Sequence, residues 1–127
     1  MQINTETKIL VVDDMRDIRK IVQSFLQKMG YKHIYEAENG RVAIKFLESD
    51  TIDLIIADWN MPIMNGLELL DEVRKSDDWK SIPFIMLTAE AKKENVVLAL
   101  MHEVSDYIVK PFTANVLREK VMKVMKL

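Results

Sequence analysis

The chain has 127 residues, a net charge of −2 from 18 basic and 20 acidic side chains, and no cysteine. That length holds one hydrophobic core rather than two, and the composition excludes disulfides and thiolate metal sites. No basic stripe suits nucleic acid, no window nears the ~18 apolar residues of a membrane span, and MQINTET lacks the basic and apolar regions of a secretory signal, so a cytoplasmic protein is expected.

Residues 1–7 read as a short N-terminal tail. The first apolar run, residues 9–12, is continuously apolar, as a parallel strand covered on both faces should be. Asp13 and Asp14 end it. Ile18, Ile21, Val22, Phe25, Leu26 and Met29 then recur at helical spacing, and Gly30 offers a left-handed stop. A second run, residues 34–37, precedes a helix carrying Val42, Ala43, Phe46 and Leu47. The third run, residues 54–57, meets Asp58. Gly66 then leads a helix with Leu67, Leu70 and Val73. The fourth run, residues 84–87, meets Thr88 and is followed by a helix over residues 91–103. The fifth, residues 107–109, begins at Tyr107 and meets Lys110, and a last helix follows Thr113.

Strands alternating with helices at this spacing predict right-handed βαβ crossovers. The expected fold is α/β, a flavodoxin-like (βα)5 arrangement whose five-stranded parallel sheet runs in the order 2-1-3-4-5, with helices on both faces. In such sheets ligands bind beyond the carboxyl ends of the strands, where the strand order reverses. That point lies between the first and third strands, so Asp13, Asp14 and Asp58 are expected to share one crevice.

Three carboxylates together repel one another unless a cation sits among them. Oxygen ligands alone suit Mg²⁺, which takes one or two carboxylates and keeps room for waters and a phosphate oxygen. Asp58 can then act as an aspartyl nucleophile, with Lys110 as a point charge and the Thr88 hydroxyl as a hydrogen-bond donor to phosphoryl oxygens. Positioning and charge neutralisation are most of what phosphoryl transfer requires. Each residue alone has an ordinary explanation: an Asp after a strand usually caps a helix, and Lys-Pro is usually a turn. Their coincidence on one sheet edge carries the inference.

Residues 10–14 (LVVDD), 57–70 (ADWNMPIMNGLELL), 88–95 (TAEAKKEN) and 107–114 (YIVKPFTA) resemble, in order and spacing, the receiver family of response regulators and its CheY-type chemotaxis branch. The likeness spans residues 8–127 and implies a receiver domain over them. By that resemblance Asp58 is phosphorylated by a CheA-like sensor histidine kinase or a small phosphodonor, and Asp13, Asp14, Asp58 and the main-chain carbonyl of Asn60 hold Mg²⁺. Thr88 and Tyr107 are the switch pair, Lys110 bridges to the phosphoryl group, and the Lys110–Pro111 bond is cis. Asn60 and Glu90 match the positions that tune phosphoryl loss, and Trp59 matches the Trp beside the acceptor. The implied partners are the kinase, a flagellar-motor switch protein or other output protein, and a phosphatase. A signalling switch with autophosphorylation and autodephosphorylation is implied rather than a metabolic enzyme. A phosphorelay or phosphate-sink receiver is the alternative. An aspartate-nucleophile phosphohydrolase is disfavoured, because the position of its general acid is Asn60.

Two places depart from the family pattern. Met15, Arg16 and Asp17 replace small hydroxyl residues after the acidic pair, and Arg16 brings a guanidinium toward the pocket against the helix dipole. Glu103-Val104 replaces Gly-Ala after the fourth helix, so that helix is expected to run on or to end by another turn. Residues 96–101 of that helix are all apolar. A core-facing stripe of Val97, Leu100, Met101 and Val104 is expected, with Val96 and Leu98 partly outward. The fourth helix, fifth strand and fifth helix, with Met122 and Met125 if exposed, are expected to form an adhesive face for a partner or a second copy.

Overall fold

A computed structural model describes residues 3–89 and 93–127. The elements alternate throughout: β1 (Lys8–Val12), α1 (Arg16–Met29), β2 (His33–Ala37), α2 (Gly40–Ser49), β3 (Leu54–Asp58), α3 (Gly66–Lys75), β4 (Phe84–Thr88), α4 (Lys93–Met101), β5 (Asp106–Val109) and α5 (Ala114–Val124). All strand pairs are parallel and the order is β2-β1-β3-β4-β5. The predicted architecture is the one observed. Each strand begins or ends within one residue of its apolar run, and Asp58 and Thr88 are the last strand residues rather than the first loop residues.

Strand periodicity divides the core in two. Leu10, Val12, Ile55, Ala57, Phe84 and Met86 point into one buried cluster with residues of α2, α3 and Ala99 of α4. Ile9, Val11, Leu54, Ile56, Ile85 and Leu87 point into the other, against Val22 and Leu26 of α1 and Leu117 and Val121 of α5. Every residue of β3 and β4 is buried, so these strands are apolar without alternation until their last residue. Full burial of a side chain such as Leu54 or Ile55 contributes about 1.5–3 kcal/mol before chain entropy.

Local signals place the helix ends. Asn65 and Glu68 form a reciprocal capping box at 2.8 and 3.0 Å, which anchors α3 directly after the Asp58 loop. Thr113 caps α5 by accepting from the Val116 N–H. Gly30 ends α1 at φ 110, with its N–H on Gln27 O and that of Tyr31 on Leu26 O.

Helix α4 departs from expectation in phase and length. It ends at Met101, not 103, and the start expected at 91 lies outside the described residues. Among residues 94–101 of this helix Ala99 is the buried one, followed by Val104 beyond its end, whereas Val97, Leu100 and Met101 are exposed. A helix that is apolar nearly all round has no period to fix its rotation. The small Ala99, rather than a bulky stripe, is what meets the sheet. The helix also stops without a glycine. Glu103 takes the left-handed conformation itself, φ 65, and its N–H reaches Leu100 O while that of Val104 reaches Ala99 O. This is the hydrogen-bond pattern of a glycine-terminated helix, built with a side chain in place of the glycine.

Candidate functional site

Parallel register brings the strand-end residues to one edge. Val12 pairs with Ala37 on one side and Ala57 on the other, so Asp13 leaves the sheet level with Asp58. Asp58 pairs with Leu87, and Thr88 with Val109. Lys110 follows directly, its N–H on Thr88 O at 2.8 Å. The chain therefore delivers Asp13, Asp58, Thr88 and Lys110 from four adjacent strands without any long loop.

Carboxylate oxygens of Asp13, Asp14 and Asp58 lie within 4.8 Å of one another. Asp13 and Asp58 are buried, and Asp14 faces solvent. Asp13 is held on all sides: its N–H donates to Ala37 O, Oδ1 accepts from the Met15 N–H at 2.9 Å, and Oδ2 accepts from Lys110 Nζ at 3.0 Å. Lys110 Nζ also stands 3.4 Å from Asp58 Oδ1. Burial and the neighbouring Asp13 charge push the Asp58 carboxyl up to about 6, against the pull of Lys110. Three carboxylates thus face one ammonium, an oxygen-only donor set with charge left to neutralise. Those features fit a hard divalent cation such as Mg²⁺. The same arrangement offers Asp58 as an oxygen nucleophile with a cationic side chain beside it.

Residues 9–122 match the profile of the response regulator receiver domain. The chain belongs to the receiver domain family. CheY-3 of Vibrio cholerae serotype O1 is 41% identical over 124 residues, covering 98% of this chain and 95% of that protein. CheY of Pseudomonas aeruginosa is 42% identical over 119 residues, covering 94% and 96%. The solved structure of V. cholerae CheY4 aligns with a TM-score of 0.87 at 35% identity, over 94% of this chain and 99% of that one. Receivers as a family accept a phosphoryl group and bind Mg²⁺ through an acidic pocket. Those of the CheY type interact with histidine kinases and motor switch proteins.

The remaining receiver positions fall around the pocket. Thr88 is fully buried at the end of β4. Tyr107 is half-buried in β5, packed on the core cluster that includes Ala99 and Val104. Asn60 is exposed in the β3–α3 loop, and Trp59 is half-buried with its N–H on Leu87 O at 3.2 Å. The Lys110–Pro111 bond is cis, as the resemblance implied. Glu90 lies outside the described residues. Arg16 is exposed on the first turn of α1, whose N-cap residue, Met15, provides no side-chain cap. His33 and His102 lie away from the pocket, near Glu6 and Asp71 respectively. Among the described residues, no helix is long and apolar enough to cross a membrane.

Two residues that shape the pocket were given no role there by the sequence. A Cβ on Gly66 would collide with the main-chain carbonyl of Asp58, and the Gly66 N–H donates to Trp59 O at 2.8 Å. This glycine lets α3 press against the acceptor strand, which its place at the head of a predicted helix did not reveal. Arg19 Nη1 donates to Asp13 O at 2.6 Å. Nothing in the helical pattern of α1 marks this residue, because its partner is a main-chain atom of another element.

Proposed function

We propose that this chain is a phosphorylation-controlled switch of the chemotaxis type, with Asp58 as the acceptor. The proximity of Asp13, Asp14 and Asp58 at the edge of the sheet, with Lys110 against two of them, is the observation that carries this reading. An Asp58 oxygen forms a bond to phosphorus as the phosphorus–nitrogen bond of a kinase phosphohistidine breaks, and the imidazole leaves with a proton from solvent. Asp13, Asp14, Asp58 and the Asn60 carbonyl would hold Mg²⁺, which supplies positive charge for the phosphoryl oxygens. Lys110 shifts from the carboxylates to the new phosphoryl group, and the Thr88 hydroxyl donates to it. Asn60 and Glu90 set how long the group survives.

The output side is the face of α4, β5 and α5 around Tyr107. Leu100, Met101 and Val109 are exposed there, while among the described side chains of the helix, residues 94–101, only Ala99 is buried. A helix held by so little burial moves at small cost, and its exposed apolar surface suits a protein partner. The partner is a flagellar-motor switch protein.

Labelled acetyl phosphate with Mg²⁺ tests the acceptor. The wild-type chain should incorporate label and Asp58→Asn should not; retention at the wild-type level by the variant overturns the assignment. Binding of the motor switch protein should strengthen on adding a beryllofluoride phosphoryl mimic. Unchanged binding with and without the mimic rejects the chemotaxis output and favours a phosphorelay or phosphate sink.

A further inference from the structure

We propose that Arg19, held in place by Glu36, is a positioning residue that sets the acidic pocket by fixing the Asp13 carbonyl. The inference rests on the reading of that pocket as a Mg²⁺ site.

Asp13 is where β1 leaves the sheet. Its N–H still pairs with Ala37 O of β2, but its carbonyl points out of the ladder, in a residue that is fully buried. A buried carbonyl requires a partner, and Arg19 provides it from the first turns of α1, Nη1 to O at 2.6 Å. The guanidinium is itself oriented. Its Nε donates to Glu36 Oε1 at 3.1 Å, and Lys20 Nζ occupies the other oxygen, Oε2, at 2.8 Å. Glu36 is thereby kept ionised, its carboxyl held below the ordinary range by Lys20 and Arg19 despite partial burial. Arg19 is only 15% exposed, so solvent contributes little to holding it.

The carbonyl so clamped belongs to the peptide that joins Asp13 to Asp14. With the N–H, the carbonyl and both carboxylate oxygens of Asp13 bonded, the plane of that peptide is fixed, and the plane sets where the Asp14 side chain begins. Asp14 is exposed and its direction depends on that backbone. Mg²⁺ demands near-ideal octahedral placement of oxygens, so a loosened 13–14 peptide weakens the metal before it unfolds the protein. The planar fork of arginine serves the carbonyl and Glu36 at once. A lysine has one donor head and cannot hold both in this geometry.

Mg²⁺ titration of the intact chain, read from Trp59 emission in a Trp79→Phe background, tests this. Arg19→Lys keeps the charge and should raise the Mg²⁺ Kd about 10-fold, as loss of an outer-shell partner does, with phosphoryl uptake recovering at saturating Mg²⁺. Glu36→Ala, which leaves Arg19 in place and removes its tether, should shift the Kd in the same direction; it serves if Arg19→Lys does not fold. Lys20→Met, which touches Glu36 but not Asp13, should leave the Kd near wild type. A Kd within about threefold of wild type in both Arg19→Lys and Glu36→Ala overturns the proposal, leaving Arg19 a staple between α1 and β2. An equal loss in Lys20→Met also overturns it, because charge rather than the carbonyl contact would then be the cause. A wild-type chain without any Mg²⁺ response defeats the reading of the pocket itself, and this proposal with it.

Discussion

Glu103 and Ile63 both hold backbone conformations that suit glycine, with φ of 65 and 70. For a residue with a Cβ the left-handed region costs about 1–2 kcal/mol. Glu103 sits there because the α4–β5 connection must turn sharply so that Val104 can be buried before β5 begins. Ile63 is the centre of a tight turn in which the Met64 N–H reaches Pro62 O at 2.7 Å, and three-residue turns with positive φ are strained. Its side chain is 75% exposed, so packing offsets little of that strain. Glu103→Gly and Ile63→Gly should each raise stability by about 0.5–1 kcal/mol, the strain relieved less the greater freedom of glycine in the unfolded chain. Urea midpoints check this, and a fall in either midpoint contradicts it. The first position was legible as a missing family glycine. The second was not, because an isoleucine in a loop gives no sign of a left-handed backbone.

At the scale of elements, legibility followed periodicity. Helix α1 buries Val22 and Leu26 with Ile18, Phe25 and Met29 half-buried beside them, as its spacing implied, and only Ile21 of the predicted stripe remains exposed. Helix α4 is apolar on nearly every side, so spacing could not fix its rotation; the expected stripe was wrong at Val97, Leu100 and Met101 and right at Val104. What positions the end of α4 is instead a charged residue from another helix. Arg74 of α3 donates to Glu103 O at 2.9 Å, to Lys80 O and Ile82 O at 3.2 and 2.6 Å, and to Ser105 Oγ at 3.3 Å, while that hydroxyl accepts from the Phe84 N–H. One guanidinium thus joins α3, the approach to β4 and the turn before Tyr107. Main-chain acceptors carry no sequence signature, which is why neither this clamp nor that of Arg19 was foreseen. Arg74→Ala should cost about 1–3 kcal/mol in chemical denaturation, the range for carbonyls left without partners. Arg74→Lys should recover little of it, since one ammonium cannot span those acceptors; full recovery by lysine would show that charge alone matters.

For the molecule as a whole, strand order and the pocket were readable because parallel strands are apolar until they end, and the first polar residue then marks the sheet edge. The electrostatic tension at that edge emerges only when burial and neighbours are known. The Asp58 carboxyl ionises near 3.8 in an unfolded chain but near 6 in the folded one, where burial and Asp13 oppose its charge and Lys110 favours it, with Asp14 at the rim of the same pocket. Without metal, its ionisation therefore opposes folding above pH 6 and has no effect below about pH 4. Glu36 and Asp106 act in the opposite sense. Glu36 is lowered by Lys20 and Arg19. For Asp106, burial acts upward but Lys120, the Tyr107 N–H and Lys123 lower it overall. The stability they contribute is complete above their unfolded values and lost as pH falls through the folded ones. In EDTA, Asp58→Asn should therefore be more stable than wild type by about 1–3 kcal/mol at pH 7.5. The gain should shrink as pH falls through 6 and vanish near pH 4, below which both proteins lose stability together as Glu36 and Asp106 protonate. Millimolar Mg²⁺ at pH 7.5 should narrow the gap by binding the folded wild-type pocket. Urea denaturation of both proteins across pH 4–8 measures the difference directly. A gap that stays constant with pH would mean that Asp58 strains the pocket by its shape rather than by its charge.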